Sequence, residues 1–285
     1  MKCLVTGGAG FIGTNLIKRL LSDGHKVISI DNYTTGFRNN EQNGCHYISA
    51  DIKDIKFWGR RLEKQDMIPD VVFHLAALPR IGPSFENPLE VLDTNINGTM
   101  NMLEFAREFN IPFIYAGSSS VHGGKYKNPY TFSKKQGEDL CKMYESIFNL
   151  DISICRFYNA YGDYMPKEGG YRTALPIFIE QYNNKETFTI TGDGKQRRDF
   201  THVEDIVDGM VLCFEKKAYG YTFELGRGKN YSIKEVINMF PNANYIFIDA
   251  IPGEVKETLA DYSLAQEVLN WKPKRNLEDY IREIL

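Results

Sequence analysis

The sequence predicts an α/β fold: a doubly wound parallel sheet with a smaller C-terminal lobe. Three observations carry that prediction. A glycine-rich turn joins a short apolar strand to a helix, an acid closes the next strand, and strand-like and helix-like segments alternate through the first half of the chain.

Lys2-Cys3-Leu4-Val5 reads as a strand and Phe11 to Leu21 as a helix, with Gly7, Gly10 and Gly13 at the turn between them. Glycines there let the backbone turn tightly, approach a pyrophosphate and pack the helix close to the strand. The helix N-terminus offers free N–H groups and a partial positive charge to the same anion. Glycine-rich turns can also be purely structural, so the next strand matters. Lys26 to Ile30 ends in Asp31, eighteen residues after Gly13. That is near the spacing of a carboxylate that accepts from an adenosine ribose hydroxyl. A carboxylate repels a 2′-phosphate, so NAD is expected over NADP. Asn32 and Tyr33 bring no positive charge, and Arg38 is the downstream group that could reverse the choice.

Strands are expected at 2–6, 26–30, 46–49, 70–75, 112–117 and 151–156, with helices at 11–22, 53–65, 86–109 and 130–148. The strand cores are short and β-branched or aromatic, as buried parallel strands should be. Residues 1–156 therefore form a Rossmann-type dinucleotide-binding domain, and 199–219 return to it with a helix near 202–217. Glycine and proline punctuate Gly162 to Pro176, Gly192-Asp193-Gly194 and Pro252-Gly253, so 157–198 and 220–285 are assigned to the smaller lobe.

The 285 residues are 42% hydrophobic and 25% charged, an ordinary globular profile. A net charge of −3 gives no electrostatic case for nucleic acid or a membrane surface. No apolar run approaches the roughly 20 residues that span a bilayer. The chain enters its first strand at once, which leaves no room for a signal peptide. Cys3, Cys45, Cys141, Cys155 and Cys213 lack paired spacing. They read as buried thiols of a cytoplasmic protein, without disulfides or a metal site.

In a doubly wound sheet the cleft lies beyond the carboxyl ends of the strands. Strand four ends His74-Leu75-Ala76-Ala77, strand five Ala116-Gly117-Ser118-Ser119-Ser120, and strand six Arg156-Phe157-Tyr158-Asn159. Twelve residues after Ser118 comes Tyr130, with Lys134 four further on. That spacing sets both on one helix face. An ammonium near the phenol would lower its pKa from about 10 toward working pH. With a serine hydroxyl on the same oxygen, the three could move a proton on and off a carbinol while hydride passes to nicotinamide. Taken singly, the Tyr/Lys pair also suits an ordinary helix surface, and the serines a loop or cap.

Taken together, these motifs resemble the extended short-chain dehydrogenases/reductases of the NAD-dependent nucleotide-sugar epimerase/dehydratase family. The resemblance covers nearly the whole chain. Beyond the motifs above, it includes Asp31-Asn32-Tyr33-Thr34-Thr35-Gly36, Ala50-Asp51-Ile52, Asn95-Ile96-Asn97-Gly98-Thr99, Arg198-Asp199-Phe200-Thr201-His202-Val203, Pro252-Gly253-Glu254 and Asn270-Trp271-Lys272-Pro273. It implies that Gly7, Gly10, Phe11, Ile12 and Gly13 hold the pyrophosphate of NAD. Asp31 would take the ribose with Asn32, Thr35 and Gly36 near it, and Asp51 and Ile52 the adenine. Leu75, Ala76, Ala77 and Asn95 would line the cofactor channel, and Tyr158 would touch nicotinamide. Tyr130 becomes the general base, Lys134 its partner and ribose anchor, and Ser118 the substrate contact, with Ser119 beside it. Asn159 and Arg198 would hold the diphosphate of a nucleotide sugar, UDP-linked by resemblance. Arginine suits that role because its fork matches phosphate oxygens.

Dehydratases of the family resemble Thr-Asp-Glu where this chain has Ser118-Ser119-Ser120, so elimination would lack its acid and base. The reading is therefore 4-epimerisation through a transient 4-keto sugar. A related reductase or 4,6-dehydratase is the alternative, as is a non-catalytic cofactor-binding protein. Three departures stand out: a short segment at 124–129, His122 where the family has tyrosine, and Ile251 where an arginine often precedes Pro-Gly. Arg197, Arg227 and Lys256 are candidate replacements. The resemblance further implies a homodimer paired through the helices near 86–109 and 130–148, which carry Met100, Leu103, Leu140, Met143 and Ile147.

Overall fold

The computed structural model describes residues 1–250 and 255–285, apart from the side chains at 56 and 57. Ile251 and the Pro252-Gly253-Glu254 motif lie outside the described residues.

Seven strands form one parallel sheet: β1 (Lys2–Thr6), β2 (Lys26–Asp31), β3 (Cys45–Ser49), β4 (Val71–His74), β5 (Phe113–Ser118), β6 (Ile152–Phe157) and β7 (Thr222–Leu225). Their order is β7-β6-β5-β4-β1-β2-β3. The order reverses between β1 and β4, where Thr6 lies opposite His74. The fold is thus the expected doubly wound sheet, with its switch point at the glycine turn.

Alternation along β1 divides the core. Cys3 and Val5 face α1 (Phe11–Ser22), burying Leu16, Ile17 and Leu20 with Val207, Met210 and Val211 from a helix at Val203–Glu215. Leu4 faces the other side, against Trp58 and Leu62 of α2 (Ile55–Lys64), Met102 and Leu103 of α3 (Gly98–Glu108), and Cys141 of α4 (Pro129–Phe148). This is the period of two expected for a strand buried on both faces.

Two expectations need correction. The helix expected at 86–109 runs over 88–108, as Pro88–Leu92, a π-helical turn at Asp93–Asn97, and α3, and a separate short helix, Ile81–Glu86, precedes it. Pro88 forces Asn87 out of helical geometry, to φ −128 and ψ 61. The π turn pulls Asn95 inward, and the Thr99 hydroxyl donates to the Asn95 carbonyl (2.7 Å). The second concerns 220–285, which is not wholly lobe. Thr222–Leu225 pairs with β6, and Ala265, Leu269 and Trp271 pack in the core beside α1. Burial of Phe223 and Leu225 draws the segment onto the sheet edge.

The remaining lobe core gathers Phe178, Phe188, Ile190, Phe240, Leu277 and Ile281. Its segments are stapled by Asp199, a buried carboxylate that accepts from the backbone N–H of Arg227 (2.8 Å), Gly228 (2.8 Å) and Ala260 (3.0 Å). Among the described residues no helix is long and apolar enough to cross a membrane.

Candidate active site

A cleft of about 650 Å³ opens beyond the carboxyl ends of β1, β4, β5 and β6, between sheet and lobe. Gly7, Gly10, Phe11, Ile12 and Gly13 line it. Gly7 has φ +72, and a Cβ there would lie 2.9 Å from Ala76 Cα. A Cβ on Gly13 would lie 2.1 Å from the Gly7 carbonyl oxygen. Backbone occupies those positions, so only glycine fits them. Gly36 is packed behind the turn, where a Cβ would meet the Ala9 backbone at 2.9 Å, and it does not line the cleft.

Asp31, Asn32 and Thr35 line the far end. The Asp31 carboxylate accepts from Ala9 N (2.9 Å) and Tyr33 N (2.7 Å). Burial raises its pKa, and those two bonds work against the rise. Ile52 lines the cleft, whereas Asp51 does not. Its carboxylate instead accepts from Lys53 N (2.8 Å) and Asn32 Nδ2 (3.2 Å), which turns Asn32 toward the cleft wall.

Leu75, Ala76 and Ala77 line the middle. The Thr6 hydroxyl accepts from Leu75 N and Ala76 N at 3.2 and 3.1 Å. It also bonds the His74 ring at 2.8 Å, whose other nitrogen meets Thr99 Oγ1 at 3.0 Å. Burial lowers His74 to about 3, with Lys134 adding to the drop, so the ring stays neutral and structural. Asn95 departs from its expected place. Fully buried behind the cleft, it straps the loop after β4 to α4: its oxygen accepts from Leu78 N (2.7 Å), and its amide donates to Leu78 O (3.1 Å) and Ser133 Oγ (2.9 Å).

Ser118, Ser119, Tyr130 and Lys134 converge on the cleft. The Asn128 side chain caps α4 by accepting from Thr131 N (2.7 Å), which fixes the turn carrying Tyr130. Ser118 is itself a cap: its hydroxyl accepts from Ser120 N (3.2 Å) and donates to Ser120 Oγ (3.0 Å). The ammonium of Lys134 finds a different partner from the one expected. Burial raises Tyr130 above an ordinary phenol, opposed by the Ser118 hydroxyl and then by the charge of Arg80. Lys134 is not among the groups that lower it. The lysine donates to Ala116 O (2.9 Å) and lies over the Tyr115 ring (5.1 Å), and burial brings it down to about 8. A shared helix face brings the two side chains to one cleft, but the ammonium satisfies a backbone carbonyl instead of the phenol.

Tyr158 also departs from expectation. It is buried away from the cleft lining, and its hydroxyl donates to Glu224 Oε2 (2.5 Å). It belongs to a network in which Arg156 bonds buried Glu138 (2.8 Å, bidentate) and Glu224 (2.9 Å), with His122 on the same Glu224 oxygen (3.0 Å). Asn159 and Arg198 line the cleft. The Asn159 amide is already donating to Asp199 O (3.2 Å) and Thr258 Oγ1 (3.1 Å). Arg198 donates to Arg197 O (2.9 Å). Of the candidate replacements, Arg197 is held by Asn230 and Glu235, and Arg227 by the Pro273 carbonyl, whereas Lys256 offers its backbone carbonyl to Arg197 N and Arg198.

Sequence reading missed Arg80. It belongs to no motif, yet its guanidinium reaches the cleft with φ +89 and donates from Nε to Tyr171 O (3.0 Å). The one signal available was a cation six residues beyond His74, the last residue of β4.

A glycine cradle that excludes a Cβ at Gly7 and Gly13, an acid at the end of β2, and a serine facing a tyrosine define a short-chain dehydrogenase/reductase site on a Rossmann sheet. Residues 3–226 match the model of the NAD dependent epimerase/dehydratase family, and the chain belongs to that family. It is 32% identical to a putative UDP-glucose 4-epimerase of Methanocaldococcus jannaschii, over 99% of this chain and 96% of the relative. It is 30% identical to UDP-glucuronic acid decarboxylase 2 of Arabidopsis thaliana, over 97% of this chain and 66% of that protein. The crystal structure of UDP-glucuronic acid 4-epimerase from Bacillus cereus, with UDP-glucuronic acid and NAD, superposes with a TM-score of 0.89 at 30% identity and full coverage of both chains.

Proposed function

We propose that the protein is an NAD-dependent nucleotide-sugar 4-epimerase. The observation that carries this reading is the character of the cleft wall. Asp31, at the ribose end, is the one carboxylate among the described residues that line it. Serines stand where elimination would need an acid and a base, so 4,6-dehydration lacks that carboxyl pair among the described lining residues. The chemistry left is proton transfer at one carbinol.

The glycine turn and the Asp31 carboxylate would hold NAD, as the space closed to a Cβ at Gly7 and Gly13 supports. When bound, NAD would supply the acceptor and donor of hydride for the carbinol carbon. Ser118 donates to and accepts from the C4 oxygen, fixing it beside Tyr130. Tyr130 removes the hydroxyl proton and later gives it back. Lys134, anchored on Ala116 O, has two further N–H donors for a ribose hydroxyl and keeps positive charge near the site. Arg198 would face the diphosphate. Apolar side chains exposed on α3 and α4 support a homodimer, and the five free cysteines suit a reducing cytoplasm.

Incubating NAD-loaded protein with UDP-glucose, UDP-GlcNAc, UDP-glucuronate and their C4 epimers tests the reading, and the expected result is interconversion of at least one pair. Tyr130→Phe should keep NAD and lose about 10²- to 10⁴-fold in kcat. Folded, NAD-loaded protein that interconverts none of the pairs would overturn the assignment. A decarboxylase is the second reading, favoured by the 30% identical plant relative. Release of CO₂ from UDP-glucuronate would select it.

A further inference from the structure

We propose that Arg80 makes this cleft selective for a nucleotide-linked hexuronic acid, gripping the carboxylate at C6 of the sugar. The inference rests on the 4-keto reading above, which sets C4 at Tyr130.

Three observations point the same way. Arg80 lines the cleft, and among the described residues its one hydrogen bond runs from Nε to Tyr171 O (3.0 Å). Among those residues its two terminal nitrogens carry no bond and no carboxylate pairs with it. Other arginines near the site are committed: Arg156 to Glu138 and Glu224, Arg172 to Glu180, and Arg197 to Glu235. A guanidinium drawn out of bulk water without an anion is costly and is kept where an anion will arrive. Its terminal nitrogens form the fork that meets a carboxylate edge-on.

The backbone gives a second argument. Arg80 sits at φ +89 and ψ 141, a region that belongs almost wholly to glycine. The loop after β4 holds the residue there because Asn95 straps Leu78 on both its N–H and its carbonyl. Strain of this kind at a cleft is a sign of a side chain aimed at a ligand.

Position then decides between the anions that a nucleotide sugar carries. Arg80 and Tyr130 line the same cleft, and the guanidinium's charge acts on the phenol. The diphosphate hangs on C1, across the pyranose ring from C4. The C6 carboxylate is two bonds from C4. An anion that meets both Arg80 and a group at Tyr130 is therefore the sugar's own. A neutral hydroxymethyl at C6 would leave the guanidinium unpaired when the cleft closes, so the same residue rejects neutral hexoses.

The test compares UDP-glucuronate with UDP-glucose on the NAD-loaded full chain, wild type against Arg80→Gln and Arg80→Gly. The glycine variant removes the guanidinium and relaxes the backbone, so a loss cannot be charged to misfolding. Wild type should favour the uronate in kcat/KM by at least tenfold. Both variants should reduce the uronate-to-neutral ratio by about 10- to 100-fold, with the change in KM, as expected for one charge-assisted bidentate pair. Equal turnover of the two sugars by wild type, or an unchanged ratio in both variants, would overturn the proposal. Calorimetric binding of the two nucleotide sugars to the same proteins separates this inference from the reading beneath it. If wild type binds the uronate selectively through Arg80 yet forms no epimer, carboxylate recognition stands and the epimerase assignment falls.

Discussion

Lys134 donates to the Ala116 carbonyl from a fully enclosed site, and burial holds it near 8 rather than 10.5. Between those two values the unfolded chain binds a proton that the folded chain does not. Stability contributed by this group therefore rises with pH across about 8 to 10.5, by up to ~3 kcal/mol, and is flat below. In urea titrations of cofactor-free protein, wild type should gain stability relative to Lys134→Met as pH rises through that window. A constant difference between the two would contradict the buried ammonium. The i, i+4 spacing made it legible that Tyr130 and Lys134 share a cleft. It could not reveal which acceptor the ammonium would find, because the Ala116 carbonyl is brought there by β5 packing on α4. Arg80 was illegible for a related reason: nothing local marks a residue whose role depends on a left-handed φ and on a partner loop ninety residues away. Tyr158 sits beside the strand-six motif as expected, yet Glu224 of β7 draws its hydroxyl off the cleft.

Elements with a strong period were legible almost to their ends. β1 and α1 match their expected spans, and the other five expected strands shift by one residue at an end or two. β7 escaped because four residues after a glycine carry too little pattern to separate a sheet strand from a lobe strand. The β1–α1 turn is the element on which cofactor binding depends most directly. A methyl group on Gly13 would sit 2.1 Å from the Gly7 carbonyl oxygen, which is backbone and cannot rotate aside. Gly13→Ala should cost about 1–3 kcal/mol through overpacking and weaken NAD binding at least tenfold. Urea unfolding and NAD titration by fluorescence check both. The strap on the opposite wall makes a parallel case. Asn95→Leu keeps the bulk but leaves Leu78 N and O without their partner, at about 1–3 kcal/mol for each buried group. Because Leu78 stands two residues before Arg80, the variant should also erode discrimination between uronate and neutral sugars, seen as a falling kcat/KM ratio.

Across the whole molecule, the sheet buries its own helices well but leaves one apolar face uncovered. On α3 and α4, Leu103 turns inward at 0% exposure. Met100, Met143, Ile147 and Phe148 remain 41%, 40%, 62% and 46% exposed on the same two helices. Long side chains of this kind on two adjacent helices are what a two-fold four-helix interface requires, since one patch then covers itself. The face lies on the outside of α4, whose inner side carries Tyr130 and Lys134, so pairing would stiffen the helix that positions the phenol. Sedimentation at micromolar concentration should give roughly twice the 32.7 kDa of one chain. Ile147→Asp together with Met143→Lys places charge at the centre of that face and should yield monomers with NAD still bound. If wild type already sediments as one chain, the exposed stripe needs another occupant and the rigidity of α4 another source. If the variant stays paired, the contact lies on a different surface.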